Sequence, residues 1–331
     1  MTLAAALRDA AHGDAAVRAA GVRNLAPALL AALGRPGPAY CDDADHVDVA
    51  AARARLFTAL DDGVVEIAGQ AAIGLGALGR AEVLDRAAVW VAIDRTDDDT
   101  RWLHQTAIIA TSYVGVAARG RDAALHDRVV DQLRAAWTSP HDDVRFQVAL
   151  ARVEVDDPEA EHDIVTALGD EDSAEVREQF VAALALLPRL EPASLDALVT
   201  LLRSEHGHGD AGMTAATTLA AHGRAESVAR LVTAVGRRHE RDTALEALGD
   251  LGPAAAAAIA PAEGVLRRWW NPPITRVRAA YALARIAPAG SQAHARALRA
   301  LGRWAYHPRA AVREAVADAR RALDGPRSPP P

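Results

Sequence analysis

Glu175-Val176-Arg177-Glu178-Gln179-Phe180 begins the stretch that decides how this chain folds. Val176, Phe180, Leu184 and Leu187 stand at i, i+4, i+8 and i+11, one stripe of a helix with 3.6 residues per turn. Arg177, Glu178 and Gln179 lie off that stripe and read as its polar side. The same Val-Arg pair opens other alanine-rich amphipathic segments, as Val17-Arg18, Val144-Arg145, Val277-Arg278 and Val312-Arg313, each after a short polar turn. Val65-Glu66, Thr100-Arg101 and Asp242-Thr243 are the same start with one member changed. From Val144 the steps are 32 residues to Val176, then 101 to Val277 and 35 to Val312. A period in the thirties built from helices implies helix pairs stacked into a solenoid, not one closed core.

Each unit reads as an outer helix, a tight turn and an inner helix, and about nine such pairs fill a single array over residues 1–324. The first pairs Thr2–Ala11 with Asp14–Leu25, the second Val47–Leu60 with Gly63–Leu78, and the fourth Asp122–Trp137 with Asp142–Val153. A Gly/Pro-rich loop at 34–45 interrupts the series, and the tail at 325–331 is too proline-rich for a helix and is expected to be disordered. Gly79, Gly223 and Gly252 each follow an apolar run, where a helix needs a left-handed terminating residue. Gly79-Arg80-Ala81-Glu82 and Gly223-Arg224-Ala225-Glu226 are near copies 144 residues apart, four steps of 36. Pro140, Pro158, Pro308 and Pro272-Pro273 fall at expected turns or first helical positions, where proline is tolerated.

Composition agrees with an all-α chain. Half of the 331 residues are apolar, much of that alanine, and only 4% are aromatic. A single Cys41 excludes an intramolecular disulfide and a cysteine-based zinc site, which suits a reducing compartment. No run approaches the ~18 apolar residues of a membrane span, and no basic-then-apolar signal segment opens the chain, so a cytoplasmic location is expected. The formal charge of −7 is unevenly spread. Residues 264–331 hold thirteen arginines against Glu314, Asp318 and Asp324, a balance of +10, leaving −17 for the rest. Lysine is absent, so every basic side chain but histidine is a guanidinium, a composition that a GC-rich genome by itself produces.

The segments Asp142-Asp143-Val144-Arg145-Phe146-Gln147-Val148-Ala149, Glu175-Val176-Arg177-Glu178-Gln179-Phe180, Thr275-Arg276-Val277-Arg278-Ala279-Ala280 and Ala311-Val312-Arg313-Glu314-Ala315 resemble HEAT repeats of the bacterial HEAT-like type. The resemblance implies an α-α superhelix, and a chain that presents surfaces to other macromolecules. It also implies that the turn Asp and the helix-start Arg stack between units, a role that would fall on Asp142, Asp143, Arg145 and Arg177. The second, sixth and seventh units lack the Arg at that place, which implies a broken ladder there.

Enzymatic members of this architecture leave no matching signature. Its iron-dependent hydroxylases need several His-Glu pairs at matched positions, and this chain has only His239-Glu240. Its DNA alkyl-glycosylases use Trp, Asp and Arg on a basic face, but Trp102 has Thr106, not an acid, one turn later. No bilin-lyase motif, phosphate-cradling Gly loop or nucleophile elbow is found. His206-Gly207-His208-Gly209-Asp210 has cation-binding residue types but no second ligand pair, and reads as a Gly-rich turn. Cys41, Asp42, Asp43, Asp45 and His46 read as a solvated loop. No metal, no cofactor and no catalysis are expected.

Two surfaces remain. Two residues after the helix start stand Ile67, Trp102 and Phe146 in successive units, where the stripe predicts exposure. Together with Arg101 and Arg145 they would form an apolar, guanidinium-flanked patch for a protein partner on the concave face. A helix phase slipped by a residue or two would turn the same three into core. The alternative is nucleic-acid contact through Arg267, Arg268, Trp270 and Arg276, which set guanidinium beside aromatic groups, unless those arginines are simply a solvated cap. The expected function is a non-catalytic scaffold or adaptor for an unidentified protein, with an inhibitor or immunity-type protein as one concrete form.

Overall fold

In a computed structural model of the chain, residues 1–42, 48–95, 97–170, 173–204, 207 and 209–324 are described. They contain eighteen α-helices and no strand, nine consecutive pairs in sequence order. The chain divides into two compact units, Met1–Ile164 and Val165–Pro331. The first carries α1 (Leu3–Asp9), α2 (Ala15–Ala32), α3 (Val49–Leu60), α4 (Val65–Ala77), α5 (Val83–Val91), α6 (Asp98–Ala118), α7 (Ala123–Trp137) and α8 (Asp142–Glu154), and α9 (Ala160–Asp170) runs past its end. The second carries α10 (Ala174–Ala185), α11 (Pro192–Arg203), α12 (Asp210–Ala221), α13 (Val228–Val235), α14 (Arg241–Leu251), α15 (Ile259–Arg267), α16 (Pro273–Ile286), α17 (Gln292–Trp304) and α18 (Ala310–Asp324). Within the first unit α2, α4, α6 and α8 pack in succession, each with its preceding helix laid against it. In the second, α10, α12, α14, α16 and α18 pack in succession, and α12, α14, α16 and α18 each have the preceding helix laid against them.

Local chemistry sets these boundaries. The side chains of Asp14, Asp97, Asp122, Ser173 and Ser291 accept backbone N–H groups at the starts of α2, α6, α7, α10 and α17. Caps of this kind contribute ~1 kcal/mol each. At the other ends Gly79 and Gly223 adopt φ of 69° and 71°, as the sequence predicts. The stripe of α10 is confirmed, since Val176, Phe180 and Leu184 are all buried. Val277, Val312 and Val316 are buried in the same way. Small residues let inner helices approach closely: a Cβ placed on Gly76 of α4 would overlap the backbone of Ala110 in α6.

Three sequence expectations shift. Helix α2 does not stop at Leu25; it continues through Pro27 to Ala32, burying Ala26, Leu29 and Leu30. The apolar gain on this extra stretch outweighs the missing proline N–H. Leu187 lies beyond the end of α10, and Arg177, expected on the polar side, is buried. Asp43, Asp45, His46, His206, His208 and the tail at 325–331 lie outside the described residues, as does the side chain of Asp143.

An arginine clamp recurs at the turns. Arg18, Arg145, Arg241 and Arg313 each donate to the carbonyls five and six residues earlier: Gly13 and His12, Pro140 and Ser139, Gly236 and Val235, Pro308 and His307. Arg18 and Arg241 also reach the next repeat. Arg18 donates to Asp62 at 2.7 Å and Arg241 to the Asn271 side-chain oxygen at 3.2 Å. The seventh unit therefore does carry the arginine expected to be missing there. It sits at Arg241, one position ahead of Asp242-Thr243, at the first residue of α14. Arg145 also pairs with Asp142 of its own helix at 2.7 Å.

Candidate functional site

The helix phase of α4 removes one member of the proposed patch. In α6, α8 and α10 the third helical residue (Thr100, Val144 and Val176) is buried. In α4 that third residue is Ile67, which is fully buried. The helix begins two residues later than the Val65-Glu66 alignment implied, so Ile67 belongs to the core. The residue in register with Trp102 and Phe146 is Gly69. A Cβ on Gly69 would stand 2.6 Å from the Trp102 indole nitrogen, so the Trp102 ring packs into the notch this glycine leaves.

Trp102 and Phe146 occupy the same helical position on α6 and α8, two helices that pack directly, and both are half-buried. No ring contact joins them. The Trp102 indole nitrogen is buried without a hydrogen-bond partner. Arg101 is exposed, and its guanidinium makes no hydrogen bond or ion pair. Arg145 differs, because its guanidinium is held by Asp142 and by two turn carbonyls. What remains open on this face is Arg101 with the outer edges of Trp102 and Phe146.

The first unit also holds a cavity of about 450 Å³ between α5 and α7, floored by Ile108 and Thr111 of α6. Its rim carries His141, whose ring lies 5.1 Å from that of His104 and whose Nε2 is 3.6 Å from Asp94. No pattern in the sequence marks this recess, since its walls come from three helices and a turn.

In the second unit the four residues proposed for nucleic-acid contact separate into two places. Arg268 and Trp270 sit on the turn between α15 and α16. Trp269 and Trp270 are 79% and 65% exposed there, with their rings edge to face at 6.2 Å. Neither tryptophan is core. Tyr306, on the turn between α17 and α18, is 89% exposed. Arg267 and Arg276 instead line a cavity of about 520 Å³ together with Arg296, Arg299, Arg303 and Trp304. The three arginines of α17 stand at i, i+3 and i+7, one face of the helix. That stripe is legible in the sequence; its convergence with Arg267 and Arg276 is not.

Buried ions in both units are structural. Arg152 is fully buried and donates to Asp157 at 2.6 Å and Asp163 at 2.7 Å, over the Trp137 ring. Burial pushes the Asp157 carboxyl up, but hydrogen bonds from Arg134, the Glu159 backbone and Arg152 outweigh this and hold it below its ordinary value. In the second unit Arg230 grips Glu240 through two contacts of 2.9 and 3.0 Å. Among the described residues no group of three or more His, Cys, Asp or Glu side chains could hold a metal ion. Among them no helix is long and apolar enough to cross a membrane.

Residues 130–211 match the profile of the HEAT-repeat family. Both units are HEAT-like α-solenoids. Among solved structures, Escherichia coli YibA is similar over 92% of this chain and 93% of its own, with 13% identity and a TM-score of 0.53. The CpcE–CpcF complex of phycocyanin lyase from Nostoc sp. aligns over 92% and 94%, with 15% identity and a TM-score of 0.38. Human deoxyhypusine hydroxylase aligns over 97% and 96%, with 17% identity and a TM-score of 0.32. A search of curated protein sequences gives no match. At these identities the likeness concerns the fold alone.

Proposed function

We propose that the protein is a non-catalytic recognition scaffold of the cytoplasm that binds a protein partner on its inner helices, with residues 1–324 acting as one array. The observation that carries this reading is the pairing of Arg101, exposed and unengaged, with the half-exposed Trp102 and Phe146 on adjoining helices. Aromatic and arginine side chains of this kind dominate binding hot spots, and stacked repeats present them on a broad continuous surface. An inhibitor or immunity-type protein that occludes another enzyme is one form of the proposal. Affinity capture from the native host with wild-type protein, followed by calorimetry on the recovered partner, tests it. Arg101→Ala and Phe146→Ala should each weaken that complex by about tenfold or more. Unchanged affinity in both variants would remove this face from consideration.

A second reading, nucleic-acid binding, is favoured by one observation: the exposure of Trp269, Trp270 and Tyr306 on the turns of the arginine-rich second unit. Open aromatic rings beside guanidinium groups are what base stacking and phosphate contact require. Binding of a single-stranded oligonucleotide that falls steeply with salt and is lost in Trp270→Ala would establish this reading instead.

A further inference from the structure

The arginine-lined cavity of the second unit holds more positive charge than the protein itself neutralises. Five guanidinium groups surround it: Arg267 at the end of α15, Arg276 in the first turn of α16, and Arg296, Arg299 and Arg303 along α17. The one carboxylate engaging them is Glu263, which lies 2.6 Å from Arg296 and 3.6 Å from Arg267. Arg299 and Arg303 make no hydrogen bond or ion pair. Arg276 is half-buried, with its guanidinium 4.9 Å above the Trp304 ring and its Nε donating to the Leu266 carbonyl at 3.2 Å. Its other nitrogens, Nη1 and Nη2, have no protein acceptor.

A partly buried guanidinium normally has a carboxylate partner, because desolvation penalises an unmatched charge. Here burial, and then the nearby Arg303, both act against the charged form of Arg276. The packing that orients Arg276 on Trp304 thus costs stability without an anion and recovers it with one. We propose that this recess binds a small ligand carrying a chain of two or more phosphoryl groups, such as a diphosphate or triphosphate. A single carboxylate would leave most of the charge unmatched, whereas linked phosphoryl groups present several oxygens to several guanidinium forks at once. The charges converge on one concavity of about 520 Å³, within the ordinary range of small-molecule sites, and do not run along an extended track as a polymer would need. The inference goes beyond the protein-partner reading and is independent of it, since that face lies in the other unit.

Calorimetric titration of the full chain with inorganic tripolyphosphate at low salt is the test. Saturable binding is expected, accompanied by a rise in melting temperature. Arg299→Ala and Arg303→Ala should each weaken binding by about tenfold. Because both side chains are unpaired, the ligand-free melting temperature of these variants should stay level or rise. Arg238→Ala removes the same charge from the turn before α14 and should leave affinity unaltered. Absence of saturable binding overturns the proposal, as does equal weakening by Arg238→Ala or no weakening by the α17 variants. Oligothymidylate binding that the α17 variants abolish, with no response to tripolyphosphate, would overturn it in favour of a nucleic-acid surface.

Discussion

Replacing Asp157 by asparagine should strand the most deeply buried guanidinium of the first unit. The side chains of Arg152 and Asp157 are both fully buried, and the 2.6 Å contact between them is joined by an Arg134 bond of 2.5 Å on the other carboxylate oxygen. Asparagine keeps one acceptor oxygen but loses the charge and cannot serve Arg152, Arg134 and the Glu159 N–H together. Breaking a buried ion pair from one side costs ~3–5 kcal/mol. Asp163 still holds the far end of Arg152 at 2.7 Å, which places the expected loss at the lower end, about 3 kcal/mol. Asp85→Asn supplies the comparison: its 2.6 Å pair with Arg128 is exposed, and such pairs contribute ~0–1 kcal/mol. Urea titration followed by tryptophan fluorescence reads the difference, with Trp137 stacked against Arg152 as a local reporter. The pH dependence has a defined sign. Since the folded carboxyl of Asp157 is held below its unfolded value, its contribution is complete at neutral pH and lost as pH falls through the folded value. The gap between wild type and Asp157→Asn should therefore be constant above about pH 5 and narrow below about pH 4. Equal destabilisation by Asp157→Asn and Asp85→Asn would refute the argument.

Phe180→Asp should cost about 4 kcal/mol or more by burying an unpaired charge in the second unit, while the half-exposed Glu178→Ala stays within about 1 kcal/mol; denaturant midpoints separate the two. Gly76→Ala should destabilise by ~1–3 kcal/mol because α4 and α6 must move apart, whereas Gly13→Ala, with open space around it, should be nearly silent in a thermal melt. Trp102→Ala should lower stability by about 2 kcal/mol through the ring lost from the Gly69 notch, and Trp270→Ala by less than about 0.5 kcal/mol.

Local periodicity made the architecture legible. Val176, Phe180 and Leu184 repeat at helical spacing within one segment, so pattern alone identifies the buried face and the repeat. The candidate patch was harder to read because exposure depends on where a helix starts. Val64, Val65 and Ile67 are all apolar, and a shift of two residues moves Ile67 from surface to core without altering composition. The end of α2 lies beyond the expected Leu25, because the helix runs through Pro27 where Leu29 and Leu30 have a core to enter. The arginine recess was beyond reach for a topological reason. Arg267 and Arg276 are separated in sequence from the α17 stripe, and only the stacking of α15, α16 and α17 brings them to one cavity.

The arginine clamps have an evolutionary corollary. By tying down the carbonyls of their own turns from within the following helix, Arg18, Arg145, Arg241 and Arg313 share the holding of the loop with a few turn side chains, His12, Ser139 and His307, that accept turn N–H groups, and relieve the other turn side chains of that duty. The turn before α16 is tied in a related way, with Asn271 donating to Val265 and accepting from Arg241. Residues such as Trp269, Trp270, Tyr306 and Arg238 can then be exchanged for almost any others while the repeats stay folded. Specificity can drift along this edge under selection from one partner to another, and the hydrophobic stripes that specify the architecture need not change with it.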